Sequence, residues 1–210
     1  MYRASNLREG DFMLKDLIKK NRSTRGYDRS RKVTEDELKE MVDCARLSAS
    51  SINKQPLRFY ISNDENEVEI INSHVKMGGL LPELHLPLKG TEPVAYILIC
   101  QDTKISFSKE GFTKDVGICA QSITLAAAEM GLNACMIGNF IQKRLRDAIG
   151  LDERYEIKLV IAIGKGIEKF EIDEVSENQS TNYYRDENGV HHVPKVRLDD
   201  VVISRNKQNH

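Results

Sequence analysis

A short basic segment near the start of the chain carries side chains suited to binding an anion. Residues 21–25 read Asn-Arg-Ser-Thr-Arg, which places two guanidinium and two hydroxyl groups close together. Guanidinium groups form charge-assisted, often bidentate hydrogen bonds with phosphate. The segment therefore predicts a site for a phosphate or for an electron-rich ring edge. A solvated basic face is the alternative, because residues 15–32 carry eight basic and two acidic side chains.

A second polar segment, residues 48–56, reads Ser-Ala-Ser-Ser-Ile-Asn-Lys-Gln-Pro between a predicted helix and a predicted strand. A plain connector is one interpretation, because serine, asparagine and proline are the residues that turns use. A binding loop is the other, because a loop held between rigid elements can present side chains to a ligand. The side chains that could make such hydrogen bonds are Ser50, Ser51, Asn53 and Gln55.

The chain is organised around residues 115–139, which predict a helix followed directly by a short strand. Asp115 can cap the start of the helix, and Gly131 stands where a helix ends in the left-handed conformation. The strand is apolar and stops at Gly138. We expect Gly138 and Asn139 to present backbone N–H groups to a flat ligand, since glycine lets a ligand approach the backbone closely.

The helix in residues 115–130 is rich in alanine and serine, so another backbone can approach it closely. We therefore expect it to be buried, either in this chain or against a partner subunit. The residues at helical spacing on the expected buried face are Ile118, Ser122, Leu125, Ala126 and Met130.

Capping signals and periodicity predict the other helices. Thr34 and Glu37 form a capping box, and Ser62 and Glu65 predict a second one that opens a helix through Ile71. Shorter helices are expected at residues 12–20 and at residues 142–149, the latter closed by Gly150. The first capped helix is expected to bury Leu38, Met41, Val42, Ala45 and Leu47.

Three further segments predict strands. Residues 57–61 alternate apolar and polar side chains, as in a half-buried strand. Residues 93–100 and 156–164 are nearly continuous apolar runs, so both should lie buried in the interior of a sheet, with residues 93–100 at its centre. Residues 75–92 contain several glycines and prolines and predict an irregular loop.

The last part of the chain, residues 165–210, is polar and cannot build a core of its own. Its apolar residues cluster at 193–198 and 201–203. This pattern favours an arm that lies across the body or a neighbouring subunit, with disorder as the alternative. We therefore expect one domain, with residues 1–164 as its body and residues 165–210 as its C-terminal arm.

Composition excludes several classes of protein. The formal net charge of the 210 residues is −1, so the chain as a whole is not built to bind nucleic acid. The first 20 residues predict no secretory signal, and the longest apolar run is too short for a membrane span. We expect a cytoplasmic protein with reduced cysteines. No metal site is predicted, since adjacent His191 and His192 would point to opposite faces of a strand.

Three separated stretches together resemble the FMN-dependent nitroreductase family. Residues 21–25 resemble that family's Arg-Arg-Ser-x-Arg signature. Residues 49–56 resemble Pro-Ser-Ser-x-Asn-x-Gln-Pro-Trp, and residues 130–138 resemble Gly-Leu-Gly-x-x-x-x-x-Gly. A weaker match is Pro-Lys-Val-Arg-Leu at residues 194–198. The likeness extends over most of residues 12–200, and its specificity comes from the order and spacing of the motifs.

The resemblance implies an α+β sandwich, in which a mainly antiparallel sheet is flanked by helices. It also implies a homodimer that exchanges C-terminal arms and binds two FMN molecules between the subunits. One subunit would contribute Arg22, Ser23 and Arg25 to each flavin. The other would contribute Ser50, Ser51, Asn53 and Gln55. Backbone N–H groups of Gly138 and Asn139 would lie near flavin N5, and Lys195 and Arg197 would hold the phosphate.

The implied activity is transfer of hydride from NAD(P)H through FMN to a nitroaromatic, quinone or related small acceptor in a ping-pong cycle. The chemistry would take place at flavin N5, so no acid–base residue of the protein is strictly required. Flavin cleavage or reductive dehalogenation on the same fold is an alternative. A non-enzymatic module, in which residues 15–32 bind nucleic acid or an acidic partner, is another.

The sequence departs from the family pattern at several positions. Asn21 replaces the first arginine of the signature, which removes one cation and makes the arm more important for the phosphate. Ala49 replaces proline and Leu57 replaces tryptophan. The region at residues 74–90 is short where larger members carry helices over the flavin, so the resemblance leaves the acceptor open.

Overall fold

The structure is a computed structural model that describes residues 14–106 and 112–204. One five-stranded antiparallel sheet lies between two layers of helices. The helices are α1 (Leu14–Lys20), α2 (Glu35–Leu47), α3 (Glu65–His74), α4 (Thr113–Glu129), α5 (Gln142–Ala148) and α6 (Leu198–Val201). The strands of the sheet are β1 (Tyr27–Asp28), β2 (Leu57–Ser62), β3 (Ala95–Asp102), β4 (Asn133–Ile137) and β5 (Tyr155–Gly166). The first two residues of the predicted helix 12–20 lie outside the described ranges.

Strand β3 occupies the middle of the sheet, between β2 and β5, and all of its residues are buried. Its side chains alternate between two cores. Ile97 packs in the core formed with α2 and α4, whereas Leu98 packs in the core formed with α3 and α5. Because helices cover both faces, this strand needs apolar residues on both sides. The predicted central position of the apolar run is confirmed.

Helix α2 begins at the predicted capping box, in which Thr34 and Glu37 each bind the other's backbone N–H. Leu38, Met41 and Ala45 are buried as predicted. The prediction that Leu47 is also buried is wrong, since this side chain is 69% exposed. Leu47 follows Ala45 by two residues, which turns it more than half a turn around the helix axis and away from the core.

The second predicted capping box is wrong in its residues, although the helix exists. Asp64 is the cap of α3, and its carboxylate accepts hydrogen bonds from the backbone N–H groups of Asn66 and Glu67. Ser62 is instead the last residue of β2 and is buried. Serine and aspartate both suit a helix start. Because β2 continues through Ser62, the helix begins later, with Asp64 as its cap.

Helix α4 packs against α2 through small side chains, as its composition suggested. The predicted face is only partly correct: Ala126 is buried, but Ile118 is 41% exposed. The most deeply buried side chains are Ala120, Ile123 and Ala127. The helix ends before Gly131, whose φ of 72° confirms the predicted left-handed position.

Residues 165–204, called here the C-terminal segment, leave the main sheet at the end of β5 and form two small sheets. The strands are β6 (Lys169–Glu171), β7 (Glu174–Val175), β8 (Tyr184–Arg185), β9 (Val190–His192) and β10 (Lys195–Val196). Strand β9 lies between β6 and β8, and β10 pairs with β7. The apolar residues that were predicted to anchor this segment differ in burial. Val193 is half-buried, whereas Val201 and Ile203 are exposed on this chain.

Candidate functional site

A cavity of about 320 Å³ lies between residues 21–25, called here the arginine segment, and the C-terminal segment. Strand β4 lines the cavity with Ala134 and Met136, and the C-terminal half of α4 lines it with Thr124. The charged and polar side chains that border this first cavity are Asn21, Arg22, Ser23, Arg25, Gln121, Thr124, Tyr183, His191 and Lys195. Four predicted site residues are therefore together: Arg22, Ser23, Arg25 and Lys195.

Backbone and side-chain contacts hold the arginine segment against β4. Thr24 is fully buried, and its backbone N–H donates to the carbonyl of Ala134 at 3.2 Å. The Tyr27 hydroxyl donates to the Thr24 carbonyl at 2.6 Å, and Asn21 donates to the Thr124 hydroxyl at 2.7 Å. Thr24 thus points into the core. Asn21, which replaces a cation of the family pattern, fastens the segment to α4.

Three unpartnered polar atoms are gathered around the first cavity. Within the described ranges, four buried side-chain nitrogen or oxygen atoms have no hydrogen-bond partner, and three of them belong to cavity residues: Arg22 Nε, Arg25 Nε and His191 Nδ1. Leaving a buried polar group unpaired costs about 1–3 kcal/mol, and more for a charged group. Burial also lowers the pKa of Arg22, although the group stays charged at neutral pH. The cavity is therefore prepared for a ligand that offers hydrogen-bond acceptors and negative charge.

Glu168 links the arginine segment to the C-terminal segment. One carboxylate oxygen accepts the backbone N–H of Arg25 at 2.6 Å, and the other lies 2.9 Å from His191 Nε2. The side chain is 4% exposed. Tyr183 adds a second link, since the Arg25 guanidinium carbon lies 4.8 Å from the centre of its ring. Glu168, His191 and Tyr183 were not predicted as site residues, because only the fold brings them close to the arginine segment.

The other predicted residues lie on residues 48–56, called here the serine loop. Asp115, at the start of α4, accepts hydrogen bonds from the hydroxyl of Ser50 at 2.8 Å and from the backbone N–H of Ser51 at 2.9 Å. It also accepts the Ser51 hydroxyl at 2.5 Å. The prediction that Asp115 caps its own helix is wrong: Phe112 occupies the cap, and Asp115 holds the serine loop instead.

Three non-glycine residues of the serine loop have a strained backbone with a positive φ angle. Ile52, Asn53 and Gln55 have φ angles of 50°, 52° and 51°. Asparagine tolerates this left-handed region, but a β-branched isoleucine is unusual there. Ile52 is also 91% exposed, so its side chain gains nothing from packing in this chain. Strain held in place by surrounding contacts is typical of loops with a binding function.

A sequence profile of the Nitroreductase family matches residues 18–83 and 95–165. The chain belongs to the nitroreductase family. A Bacillus subtilis protein provisionally named NAD(P)H nitroreductase YdgI is 23% identical over 197 residues, which cover 78% of this chain and 92% of that protein. The α+β nitroreductase fold expected from the sequence is confirmed by this match and by the solved structures that follow.

Solved structures of the same family share this fold. The Nitroreductase Family Protein from Streptococcus pneumoniae TIGR4 superposes with a TM-score of 0.66 at 18% identity, over 92% of this chain and 100% of that one. An FMN-dependent nitroreductase from Clostridium difficile R20291 gives 0.61 at 20% identity, over 90% and 98%. A Desulfovibrio desulfuricans nitroreductase, solved in complex with FMN, gives 0.62 at 22% identity, over 75% and 88%.

The two predicted halves of the nitroreductase site occupy separate places on one chain. Ser50 and Gln55 border a second cavity of about 250 Å³, together with Asp115 and Arg58. None of the serine-loop residues borders the first cavity. Asn53 bonds within the loop, where its side-chain oxygen accepts from Gln55 Nε2 at 3.0 Å. The expectation that two subunits complete each site stays a prediction.

The remaining predicted residues lie apart from the first cavity. Gly138 and Asn139 follow β4 at the end opposite to Ala134, and the Asn139 carbonyl accepts the backbone N–H of Lys76 at 3.0 Å. Arg197 occupies the N-cap position of α6, and its Nε donates to the Asp200 carboxylate at 3.2 Å. It does not border the first cavity. Of the two predicted phosphate cations in the arm, the structure brings Lys195 to the cavity and leaves Arg197 outside it.

The basic run at residues 15–32 divides into two groups. Arg29 pairs with Glu92 at 2.7 Å, and Lys32 pairs with Glu65 at 2.6 Å. Arg22 and Arg25 instead border the cavity. Part of the positive charge that favoured an acidic partner is therefore neutralised within the chain. None of the described helices is long and apolar enough to cross a membrane.

Proposed function

We propose that the chain binds FMN and is a flavin oxidoreductase that passes hydride from NAD(P)H to nitroaromatic, quinone or related small acceptors. The observation that carries this proposal is the set of three unpartnered buried nitrogen atoms around a cationic cavity. Membership of the nitroreductase family supports it, as do relatives described as FMN-dependent, bound to FMN or named for NAD(P)H. The acceptor alternates with NAD(P)H on one face of the flavin in this proposal.

The residues present fit a flavin nucleotide. Arg22, Arg25 and Lys195 supply positive charge, and the Ser23 hydroxyl can donate a hydrogen bond, while Arg22 Nε and Arg25 Nε lack acceptors in the protein. A phosphate and the electron-rich edge of a flavin ring would supply those acceptors. When bound, FMN would supply a site at N5 that accepts and gives up a hydride.

The protein's own contribution in this proposal is electrostatic and positional. Arg25 is fixed by its backbone bond to Glu168, by its side-chain bond to the Ser23 carbonyl at 3.2 Å and by the Tyr183 ring. A guanidinium held in this way stabilises negative charge that develops on a neighbouring ring without reorganising. Tyr183 and other residues of the C-terminal segment border the cavity on one side, where they would shield a bound ligand from water. No acid–base residue is assigned a proton transfer.

We further propose that two chains form a homodimer in which each flavin contacts the arginine segment of one subunit and the serine loop of the other. Large apolar side chains near both segments are exposed on the single chain, among them Ile52 at 91% and Ile118 at 41%. Val201 and Ile203 of the C-terminal segment are exposed as well. Such a surface fits an interface better than it fits water. The C-terminal arm of residues 165–210 would belong to the same domain as the body, and the assembly would act in the cytoplasm.

The first test is the absorption spectrum of freshly purified protein. Bound FMN gives a yellow protein whose flavin absorbance bleaches anaerobically when NADH or NADPH is added. Recovery of the absorbance on adding a nitroaromatic or a quinone identifies the acceptor class, and product analysis separates this activity from flavin cleavage or dehalogenation. A colourless protein that does not take up FMN on reconstitution rejects the proposal.

A further inference from the structure

His191 is a buried histidine that borders the first cavity. The residue is 1% exposed, and its ring stacks on Phe170 with the ring centres 5.3 Å apart. Nε2 lies 2.9 Å from a carboxylate oxygen of Glu168, whereas Nδ1 is buried and has no partner. His192, the next residue, faces the other side of β9, so the predicted divergence of the two rings is confirmed. Of these two histidines, His191 is therefore the one placed to act on a ligand in this cavity.

The bond to Glu168 decides which atoms of the His191 ring carry protons. An ionised carboxylate only accepts hydrogen bonds, so Nε2 carries the hydrogen. In the neutral ring Nδ1 then holds a lone pair, which would repel a phosphate oxygen. In the charged ring Nδ1 becomes a donor, which would satisfy both itself and an anion. The unpartnered atom is thus useful to an anionic ligand in one protonation state only.

The charges around His191 favour the neutral ring as long as no anion is present. Burial lowers the pKa of His191, and the cations Arg185 on β8 and Arg25 in the arginine segment lower it further. Glu168 opposes them, but it does not restore the pKa to its ordinary value. Lys195 on β10 adds another positive charge at the same cavity. An anion among these cations would cancel their effect and favour the charged ring.

We propose that His191 belongs to the anion-binding part of this cavity and takes up a proton when the phosphate of a flavin nucleotide binds. The inference rests on the proposed function, because it takes FMN as the ligand. Proton uptake on binding means that affinity rises as the pH falls, over the range between the pKa of the empty and of the occupied form. His191 is then a binding residue whose charge depends on the cofactor.

The affinity of the apoprotein for FMN is measured by quenching of flavin fluorescence between about pH 5.5 and about pH 8, the range in which histidine titrates. The wild type is compared with His191→Gln and with His74→Gln, a control histidine in α3 that does not border the first cavity. The phosphate of free FMN titrates in this range too, but this contribution is the same for all three proteins. On acidification we expect the wild type and His74→Gln to gain affinity over His191→Gln, by up to about tenfold per pH unit.

A calorimetric measurement on the wild type keeps the proposal testable if His191→Gln does not fold. The heat of FMN binding in two buffers of different ionisation enthalpy gives the number of protons exchanged near pH 7. We expect net uptake with FMN and none with riboflavin, which lacks the phosphate. Equal uptake with both flavins, no uptake with FMN, or the same pH profile for the wild type and His191→Gln overturns the inference. Failure to bind FMN at every pH rejects the proposed function itself.

Discussion

Asp115 is the residue on which the serine loop depends. It is 1% exposed, and it accepts one backbone and two hydroxyl hydrogen bonds from Ser50 and Ser51. Asparagine has the same shape, but it loses the charge and turns an amide donor toward other donors. We expect Asp115→Asn to lower the free energy of unfolding by about 2–4 kcal/mol, because charge-assisted hydrogen bonds are lost in a buried place. Denaturant unfolding measures the change.

Asp147→Asn is the control for this prediction, since Asp147 makes only exposed ion pairs with Lys143 and Arg146. It should change stability by less than about 1 kcal/mol.

Burial raises the pKa of Asp115, but the bonds from Ser51 and Ser50 outweigh it and hold the pKa below its ordinary value. This part of the stability is therefore present above the unfolded pKa of about 4 and is lost as the pH falls through the folded pKa. Equal losses in the free energy of unfolding for Asp115→Asn and Asp147→Asn would show that the hydrogen bonds from Ser50 and Ser51 to Asp115 contribute little to stability.

Arg25 is the cation that the structure fixes most firmly beside the cavity. Its backbone and side chain are both held, while Nε has no acceptor in the protein. We expect Arg25→Ala to weaken FMN binding by about ten- to a hundredfold, the value of a lost charge-assisted hydrogen bond. The reduction potential of bound FMN should become more negative, because the positive charge near the ring is gone. Fluorescence titration and spectroelectrochemistry measure the two effects.

Arg29→Ala tests whether any nearby cation would give the same result. Arg29 lies four residues further on, but it pairs with Glu92 and its side chain is 41% exposed. We expect this variant to keep both the FMN affinity and the reduction potential of the wild type. Equal weakening by the two substitutions would mean that general surface charge, and not the geometry around Arg25, attracts the flavin.

At the scale of single residues, the sequence identified the types of side chain but not their partners. Asp115 lies in the first turn of α4, and an acidic residue at the start of a helical stretch suits a cap as well as a long-range contact. Spacing along the chain does not separate the two uses, because the choice depends on where the serine loop returns. Glu168 and His191 were missed for the same reason, since parallel pairing of β6 with β9 brings Glu168 beside His191, which borders the cavity.

Strand β9 is held by the other histidine, and this makes the order of the C-terminal segment sensitive to pH. His192 Nδ1 lies 2.9 Å from Asp173, and Nε2 lies 3.5 Å from Asp186. Burial lowers the pKa of His192, but the two carboxylates outweigh it and raise the pKa above its ordinary value. The stabilisation is therefore complete below the unfolded pKa of about 6.5 and is lost as the pH rises through the folded pKa.

We expect amide protons of β9 to exchange faster, relative to those of β3, as the pH rises through this range. Hydrogen exchange corrected for its intrinsic pH dependence measures the effect. His192→Gln removes the titrating group and should give a ratio that does not change with pH. A wild type whose corrected ratio is equally constant would show that Asp173 and Asp186 do not depend on a charged ring.

The C-terminal segment combines two roles that truncation can separate. Removing residues 190–210 takes away β9, His191 and Lys195, so both the FMN content and dimerisation should fall. Removing only residues 198–210 takes away exposed apolar residues such as Val201 but leaves β9 and β10 in place. We expect this shorter truncation to weaken the dimer while monomers keep a measurable affinity for FMN. Light scattering and flavin absorbance give the two quantities.

A form lacking residues 190–210 that stays dimeric and yellow would contradict both the arm and the position of Lys195. Loss of dimer and flavin to the same extent in the two truncations would show that the segment acts only through the interface. The contrast is informative because the elements concerned differ: β9 pairs with β6 inside the chain, whereas α6 packs no buried side chain.

The positions of the helices and strands were more predictable than which of their faces are buried. The apolar run of β3 required burial on both sides, and the capping box at Thr34 fixed the start of α2. The buried face of α4 was predicted less well, since alanine and serine give weak periodicity and Ile118 lies outside the core. The pairing of the C-terminal segment could not be predicted, because strands of two or three residues carry little pattern of their own.

For the whole molecule, the arrangement of the two polar segments matters more than either one alone. The arginine segment borders one cavity and the serine loop borders another, and none of the residues that the structure describes borders both. A flat cofactor that needs both segments must therefore take them from two chains or displace part of one. The exposure of Ile52 in the serine loop and of Met136 at the border of the first cavity favours two chains.

Mixed dimers decide whether each site takes residues from both subunits. Arg25→Ala removes the cation of the first cavity, and Asn53→Gly removes a serine-loop side chain while tolerating the φ of 52° at that position. Each variant homodimer carries two damaged sites. In a mixed dimer both changes fall in the same site, which leaves the other site intact.

We expect tagged, purified mixed dimers to bind one FMN at close to wild-type affinity, while both variant homodimers bind weakly. Fluorescence titration gives the stoichiometry, and the rate of NADH-dependent bleaching should recover to about half of the wild-type rate, since one of two sites is intact. If each site lay within one subunit, the mixed dimer would carry one site with each defect and would recover nothing. That result would reject the shared site and would require the serine loop to reach the arginine segment of its own chain.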